Sequence, residues 1–193
     1  MSTVAEQTYT PDDLLAMPDR KNYELDDGRL VERHMSVLSN WVGGQLYFEL
    51  AGFLREHQLG WVWGAAQGYV CFPNSPRKVR FPDVSYLSKH RLPEGPTSEG
   101  YIYVPPDLAV EVVSPNDLSY EVERKTIEYL DAGVPLVWVI DPEARTVRIY
   151  RGDGSSGWLR EDGELSGEGV LPGFRCRLTT IFPERTAAKP ETV

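Results

Sequence analysis

The chain of 193 residues is 41% hydrophobic and 25% charged, an ordinary globular composition that excludes full disorder, collagen and coiled coil. Its net charge of −9 argues against a general nucleic-acid binder, which is usually basic. No run of about 18 apolar residues would make a transmembrane helix, and Met1 to Asp13 has no signal-peptide pattern. The two cysteines, Cys71 and Cys176, build neither a zinc site nor a disulfide scaffold, so the expected location is cytoplasmic.

The length suits one domain, expected over 1–186, with 187–193 a frayed tail. Thr10-Pro11-Asp12-Asp13 reads as a helix start: a capping hydroxyl, Pro at the first helical position and acids in the first turn. That short helix runs through Met17 and stops at Pro18. Tyr23-Glu24-Leu25 and Arg29 to Arg33, joined by Asp26-Asp27-Gly28, read as a β-hairpin whose turn uses the positive φ open to Gly28. Leu38, Val42, Leu46, Leu50, Phe53 and Leu54 recur at helical spacing and predict the longest helix, 37–57, with Gly60 as its stop. Gly43-Gly44 weakens that helix by about 1 kcal/mol per Gly relative to Ala and suits close packing, a partner chain included.

Strands are expected at 61–63, 68–72, 82–87 and 108–113, and the Pro- and Gly-rich stretch 93–106 reads as a loop. A helix from Asp117 or Ser119 to Gly133 follows, then the continuous apolar run Leu136 to Ile140, typical of a buried strand. Asp141-Pro142-Glu143 turns the chain into an alternating strand at 146–151. Weak strands are expected near Trp158 and over 169–178. This order predicts an α/β fold with a mixed sheet flanked by helices, and parallel strands on either side of the 117–133 helix.

Charge is uneven along the chain. Residues 1–32 hold eight acids and three bases, whereas 76–92 hold Arg77, Lys78, Arg80, Lys89 and Arg91 against Asp83 alone. Such a basic patch on an acidic protein can meet phosphate; it can equally be a solvated loop with scattered charge.

Glu111 is the most informative residue. It sits inside Leu108-Ala109-Val110-Glu111-Val112-Val113, where every neighbour suits a buried strand. A buried carboxylate without a partner costs several kcal/mol, so it needs a cation or strong donors. Ser114-Pro115 follows, which places Glu111 near the C-terminal end of its strand, where open α/β sheets bind ligands. The bland alternative is an edge glutamate facing solvent. Asp83 opens an apolar strand after Pro82, and Glu24 is flanked by Tyr23 and Leu25; a turn aspartate and an exposed strand glutamate are their alternatives. On a helical wheel Lys125 lies about 60° from Val122, at the margin of the apolar face formed with Thr126, Tyr129 and Leu130, while Arg124 lies about 160° away. Lys125 therefore leans toward the sheet, either into a site or snorkelling over the core.

Hard oxygen ligands select Mg²⁺ or Mn²⁺, which activate water and neutralise charge at a phosphate, and a lysine stabilises the charge that develops. His34, His57 and His90 are scattered, with no short metal-binding spacing, and no phosphate-loop, dinucleotide or nucleophile-elbow motif is present. A glycosidase-type carboxylate pair leaves the lysine unexplained.

Tyr23-Glu24-Leu25-Asp26-Asp27-Gly28, Pro82-Asp83-Val84, Val110-Glu111-Val112-Val113-Ser114-Pro115, Arg124-Lys125, Tyr129, Ala132-Gly133-Val134-Pro135 and Val137-Trp138-Val139-Ile140-Asp141-Pro142 occur in order. Together they resemble the Uma-two family of restriction-endonuclease-like proteins, from about Thr10 to Phe182. The resemblance implies a PD-(D/E)xK nuclease fold: a mixed central β-sheet flanked by helices, with an N-terminal helix and hairpin. Asp83 matches the first core acid, Glu111 the second, and Glu24 the acid from the N-terminal region. Where the superfamily pattern has lysine two residues after the second acid, this chain has Val113; the family moves the lysine to the following helix, and Lys125 matches it. The resemblance implies Asp83, Glu111, Lys125 and Glu24 as catalytic residues, Asp83, Glu111 and Glu24 as ligands of Mg²⁺ or Mn²⁺, and nucleic acid, with DNA expected, as substrate.

Two functions follow. One is a metal-dependent endonuclease hydrolysing phosphodiester bonds, which the complete acid–acid–lysine set favours. The other is a non-catalytic binding or regulatory module on the same scaffold, which the acidic charge favours. No helix-turn-helix, zinc finger or basic helix indicates specificity. A homodimer is also expected. Five Trp and ten Tyr are many for this length, and both residues are enriched at interfaces. Trp41, Gly43-Gly44, Trp61 and Trp63 are candidate contacts, with core packing as the alternative.

Overall fold

The computed structural model describes residues 7–98 and 100–185; the tail expected over 187–193 lies outside them. Thr10 caps α1 (Pro11–Ala16), and Asp13 closes a capping box by accepting the Thr10 N–H. A 3-10 turn (Arg20–Asn22) leads into β1 (Tyr23–Asp26) and β2 (Arg29–Glu32), an antiparallel hairpin. Its turn residues Asp27 and Gly28 take φ of 49° and 91°.

Ser36 caps α2 (Val37–His57), which spans the predicted residues but ends differently. Gln58, at φ 51°, is the cap. Gly60 instead opens β3 (Gly60–Gly64), where a Cβ would lie 2.1 Å from the Leu87 carbonyl oxygen. Close approach of two strands, not helix termination, demands that glycine.

β3, β4 (Val84–Ser88), β5 (Leu108–Val112), β6 (Leu136–Asp141), β7 (Thr146–Arg151) and β8 (Ser156–Arg160) form one six-stranded sheet in that spatial order. β5 and β6 are parallel, joined through α3 (Ser119–Asp131), and the remaining pairs are antiparallel. The sheet is mixed, as the element order predicts. The segment 68–72 is not a strand. Tyr69 makes single bridges to Arg80 and Ile102, and its hydroxyl donates to Ser85. The segment is pinned across its neighbours rather than paired along them.

Alternation along the strands sorts the two faces. Leu108, Val110 and Val112, with Leu136, Trp138 and Ile140, pack against Val42, Leu46 and Leu50 of α2. β9 (Glu164–Ser166), β10 (Arg175–Arg177) and α4 (Leu178–Ile181) extend this layer through Leu165, Cys176 and Leu178. Ala109 and Val137 face the other way, against Tyr129 of α3 and Val134. Glu111 shares that face by parity. A third cluster of Leu14, Leu25, Val79, Phe81 and Tyr101 fastens the hairpin to the body, and Leu25 and Val79 exchange both backbone hydrogen bonds. Among the described residues no helix is long and apolar enough to cross a membrane.

Candidate functional site

Four elements bring the sequence-predicted residues to one cleft of about 60 Å³, lined by Glu24, Asp83, Glu111 and Lys125, with Arg33 and His34 at its side. Glu111 comes from β5. Asp83 directly precedes the adjacent β4; its N–H donates to the Val110 carbonyl, and its Oδ2 accepts the Val112 N–H at 2.7 Å. Glu24, from β1, is fully buried. Its Oε1 accepts the Phe81 N–H at 3.1 Å, and its Oε2 meets Arg80 at 3.1 Å and Lys125 at 2.9 Å.

Lys125 reaches in from α3, as its helical angle predicts. Its Nζ lies 2.9 Å from Glu24 Oε2 and 3.7 Å from Glu111 Oε2. Thr126 and Tyr129 are buried and Arg124 is exposed. One turn beyond Lys125, the Tyr129 hydroxyl donates to Glu111 Oε1 at 2.8 Å.

Neither reading of the 76–92 cations, an open basic patch or a solvated loop, holds for Lys78 and Arg80. Lys78 and Arg80 are 4% and 1% exposed. Arg80 bonds Glu24, Asp26 and Glu128, and Lys78 pairs with Asp26 and Glu128. Arg91 pairs with Asp107. Pairing of Val79 with Leu25 draws Lys78 and Arg80 onto a buried carboxylate layer, because an isolated charge cannot stay there. Arg80 and Tyr129 are the contributors that pattern reading misses. Both leave a signal: Arg80 sits between the apolar Val79 and Phe81, the same anomaly as Glu111, and Tyr129 lies four residues after Lys125 on one helix face.

Burial sets the protonation of the cluster, and neighbours modify it. Burial pushes Glu111 up, the Lys125 charge opposes this, and the Asp83 and Glu24 charges add to it; the group titrates at about 7. Asp83 is likewise raised by burial, against the Val112 N–H and the charges of Arg33 and Lys125. For Glu24, burial is outweighed by Lys125, Arg80 and the Phe81 N–H, which hold the carboxyl below its usual range. Lys125 is raised: burial favours its neutral form, but Glu111 and Glu24 favour the ammonium more.

Among the described residues no three His, Cys, Asp or Glu side chains are arranged to hold a metal ion. The donor chemistry still suits a hard divalent cation at two carboxylates, the usual protein share for Mg²⁺. Asp83 Oδ1 accepts no hydrogen bond among the described residues, and Glu111 Oε2 meets only the more distant ammonium. Both groups are pushed up by burial and by neighbouring negative charge, which a cation would relieve. The cleft has room for a cation with a few waters. Glu24 differs, since both its oxygens are engaged by protein donors.

The candidate contact positions separate. Trp41 is 42% exposed. Gly43 is buried against the chain's own Val112 and Asp83, and Gly44 faces open space. Trp61 donates its indole N–H to the Leu92 carbonyl.

The family described as "Uma2: Putative restriction endonuclease" matches residues 11–180. No curated protein matches the chain. Among solved structures, the chain is similar to "a putative nuclease belonging to DUF820" from Anabaena variabilis ATCC 29413. The two are 18% identical over 90% of this chain and 97% of that one, with a TM-score of 0.74. At that identity the likeness shows the fold.

Proposed function

The chain belongs to the Uma2 family, and from that premise we propose that it is a metal-dependent nuclease hydrolysing phosphodiester bonds in nucleic acid, with DNA as the expected substrate. The nuclease-like fold supports this reading. The observation that carries it is Lys125 held between Glu24 and Glu111 in the cleft that Asp83 also lines.

Asp83 and Glu111 would hold Mg²⁺ or Mn²⁺, which supplies Lewis-acid stabilisation of a phosphate and a water activated at neutral pH. Lys125 offers its ammonium to negative charge developing on the phosphoryl oxygens. Glu24 fixes that ammonium and is itself fixed by Arg80 and the Phe81 N–H. Tyr129 orients Glu111 and turns its second oxygen toward Lys125.

One observation favours the non-catalytic module: Lys125 already neutralises part of the acidic cluster. Cleavage of single-stranded and duplex DNA in Mg²⁺ or Mn²⁺ separates the readings. Lys125→Ala is expected to lower the cleavage rate by about 100-fold or more, while the metal still raises the melting temperature. A wild-type protein that neither cleaves nor responds to metal would leave the binding module.

The same reading includes a homodimer. Trp41 and Phe48, 42% and 70% exposed and seven residues apart on α2, share one face that an interface would cover. A monomeric mass by light scattering at micromolar concentration would rule it out.

A further inference from the structure

Phe81 walls a second cavity besides the acidic cleft. This pocket, about 440 Å³, is shared with Leu15, Arg20, Trp63, Gln67 and Tyr101. Trp63, Phe81, Tyr101 and Tyr103 give it aromatic surface. The Phe81 and Tyr101 rings meet edge to face, with centroids 6.2 Å apart. Gly68 allows this: a Cβ there would lie 2.7 Å from the Tyr101 ring and 2.8 Å from the Phe81 ring.

Polar and apolar groups share the lining, Arg20, Gln67, Thr97, Ser98 and Tyr103 among the polar ones, and two of them retain bonding capacity. Gln67 gives its Nε2 to the Gly68 carbonyl, which leaves its side-chain carbonyl to accept. Arg20 gives one guanidinium nitrogen to the Leu15 carbonyl.

We propose that this pocket binds a nucleobase. The aromatic side chains suit a planar π-face, the Gln67 side-chain carbonyl suits a hydrogen-bonding edge, and Arg20 suits an attached phosphate. A pocket of this size with aromatic surface and several polar groups matches a small planar ligand. The source of the base rests on the nuclease reading. Phe81 lies two residues before Asp83, about 7 Å in extended chain, so a nucleotide flanking the scissile phosphate reaches the pocket. A free nucleotide is the other source of the same chemistry.

Three probes, used with the whole chain in EDTA, test this: a fluorescein-labelled single-stranded oligodeoxynucleotide, an abasic strand of equal length, and free nucleoside monophosphates. Anisotropy reads the strands, and tryptophan fluorescence reads the monophosphates. The base-bearing strand is expected to bind about tenfold more tightly than the abasic one. Trp63→Ala should bring that ratio toward one without weakening the abasic strand. Gln67→Leu removes the side-chain carbonyl that would accept from the base and should also lower the ratio. A fluorescence response to monophosphates without strand discrimination keeps the pocket and makes a free nucleotide its occupant. Equal or absent binding of both strands with no response to monophosphates overturns the pocket, as does a ratio unchanged in both variants. Metal-dependent cleavage in that protein would leave the nuclease reading standing; base-dependent binding without cleavage would remove the nuclease reading and keep the pocket.

Discussion

Glu111→Gln is expected to abolish cleavage and, without metal, to stabilise the protein at pH 8 while leaving it nearly unchanged at pH 4. Burial first, then the charges of Asp83 and Glu24, raise this carboxyl to about 7 from an ordinary 4.5, against the opposing charge of Lys125. A raised carboxylate costs stability as pH rises. The cost is absent below 4.5, grows between 4.5 and 7, and is complete above 7. At full size it corresponds to about 3 kcal/mol. Glutamine removes the charge and still accepts the Tyr129 hydrogen bond, but it forfeits the contact with Lys125. The net gain at pH 8 is therefore about 1–3 kcal/mol, read from urea denaturation at the two pH values. Mg²⁺ at a hundred times its dissociation constant should stabilise the wild type by about 2.7 kcal/mol and the variant not at all. Strong destabilisation of the variant at pH 8, with no effect of metal on the wild type, would make Glu111 a structural partner of Lys125 and Tyr129.

Arg80→Met is expected to destabilise the fold by about 3–5 kcal/mol at pH 7, the range for removing one partner of a buried charge network. The guanidinium is 1% exposed and meets Glu24, Asp26 and Glu128. Without it, Glu24 keeps Lys125 and the Phe81 N–H as partners, and Asp26 and Glu128 keep Lys78. The deficit should narrow as pH falls. Glu24 and Asp26 are held below their usual ranges in the folded wild type. The stability they lend is present above the ordinary carboxylate range and is lost as pH drops through their folded values, so the wild type weakens while the variant, lacking that contribution, loses less. Denaturant midpoints at pH 7 and pH 4 measure the difference. A loss below about 1 kcal/mol at pH 7 would show that Arg80 does not hold the layer together.

Local patterning alone determines most of the fold. Apolar spacing places a helix over 37–57, and α2 spans Val37–His57. The Thr10 hydroxyl and Pro11 mark the start of α1, and Asp-Gly marks the hairpin turn. Alternation puts Glu111 on the face opposite Val110 and Val112, and the wheel of α3 turns Lys125 inward. These signals lie within a dozen residues and depend on backbone geometry that any neighbourhood shares.

Tertiary structure decides the partners. A charge inside an apolar run must be compensated, and the sequence states that need for Glu111; it does not say that Tyr129 and Lys125 meet it. Lys78 and Arg80 read as an open basic patch or as scattered loop charge, yet pairing of Val79 with Leu25 carries them onto Glu24, Asp26 and Glu128. Gly60 reads as a helix stop, but the approach of β4 requires it. The 68–72 segment has strand composition and lacks a continuous partner. Strand register and helix docking are set by clusters far apart in the chain, through closure of long loops and burial of shared apolar surface. A local period encodes which face a side chain takes; only the assembled register determines which charge stands opposite it.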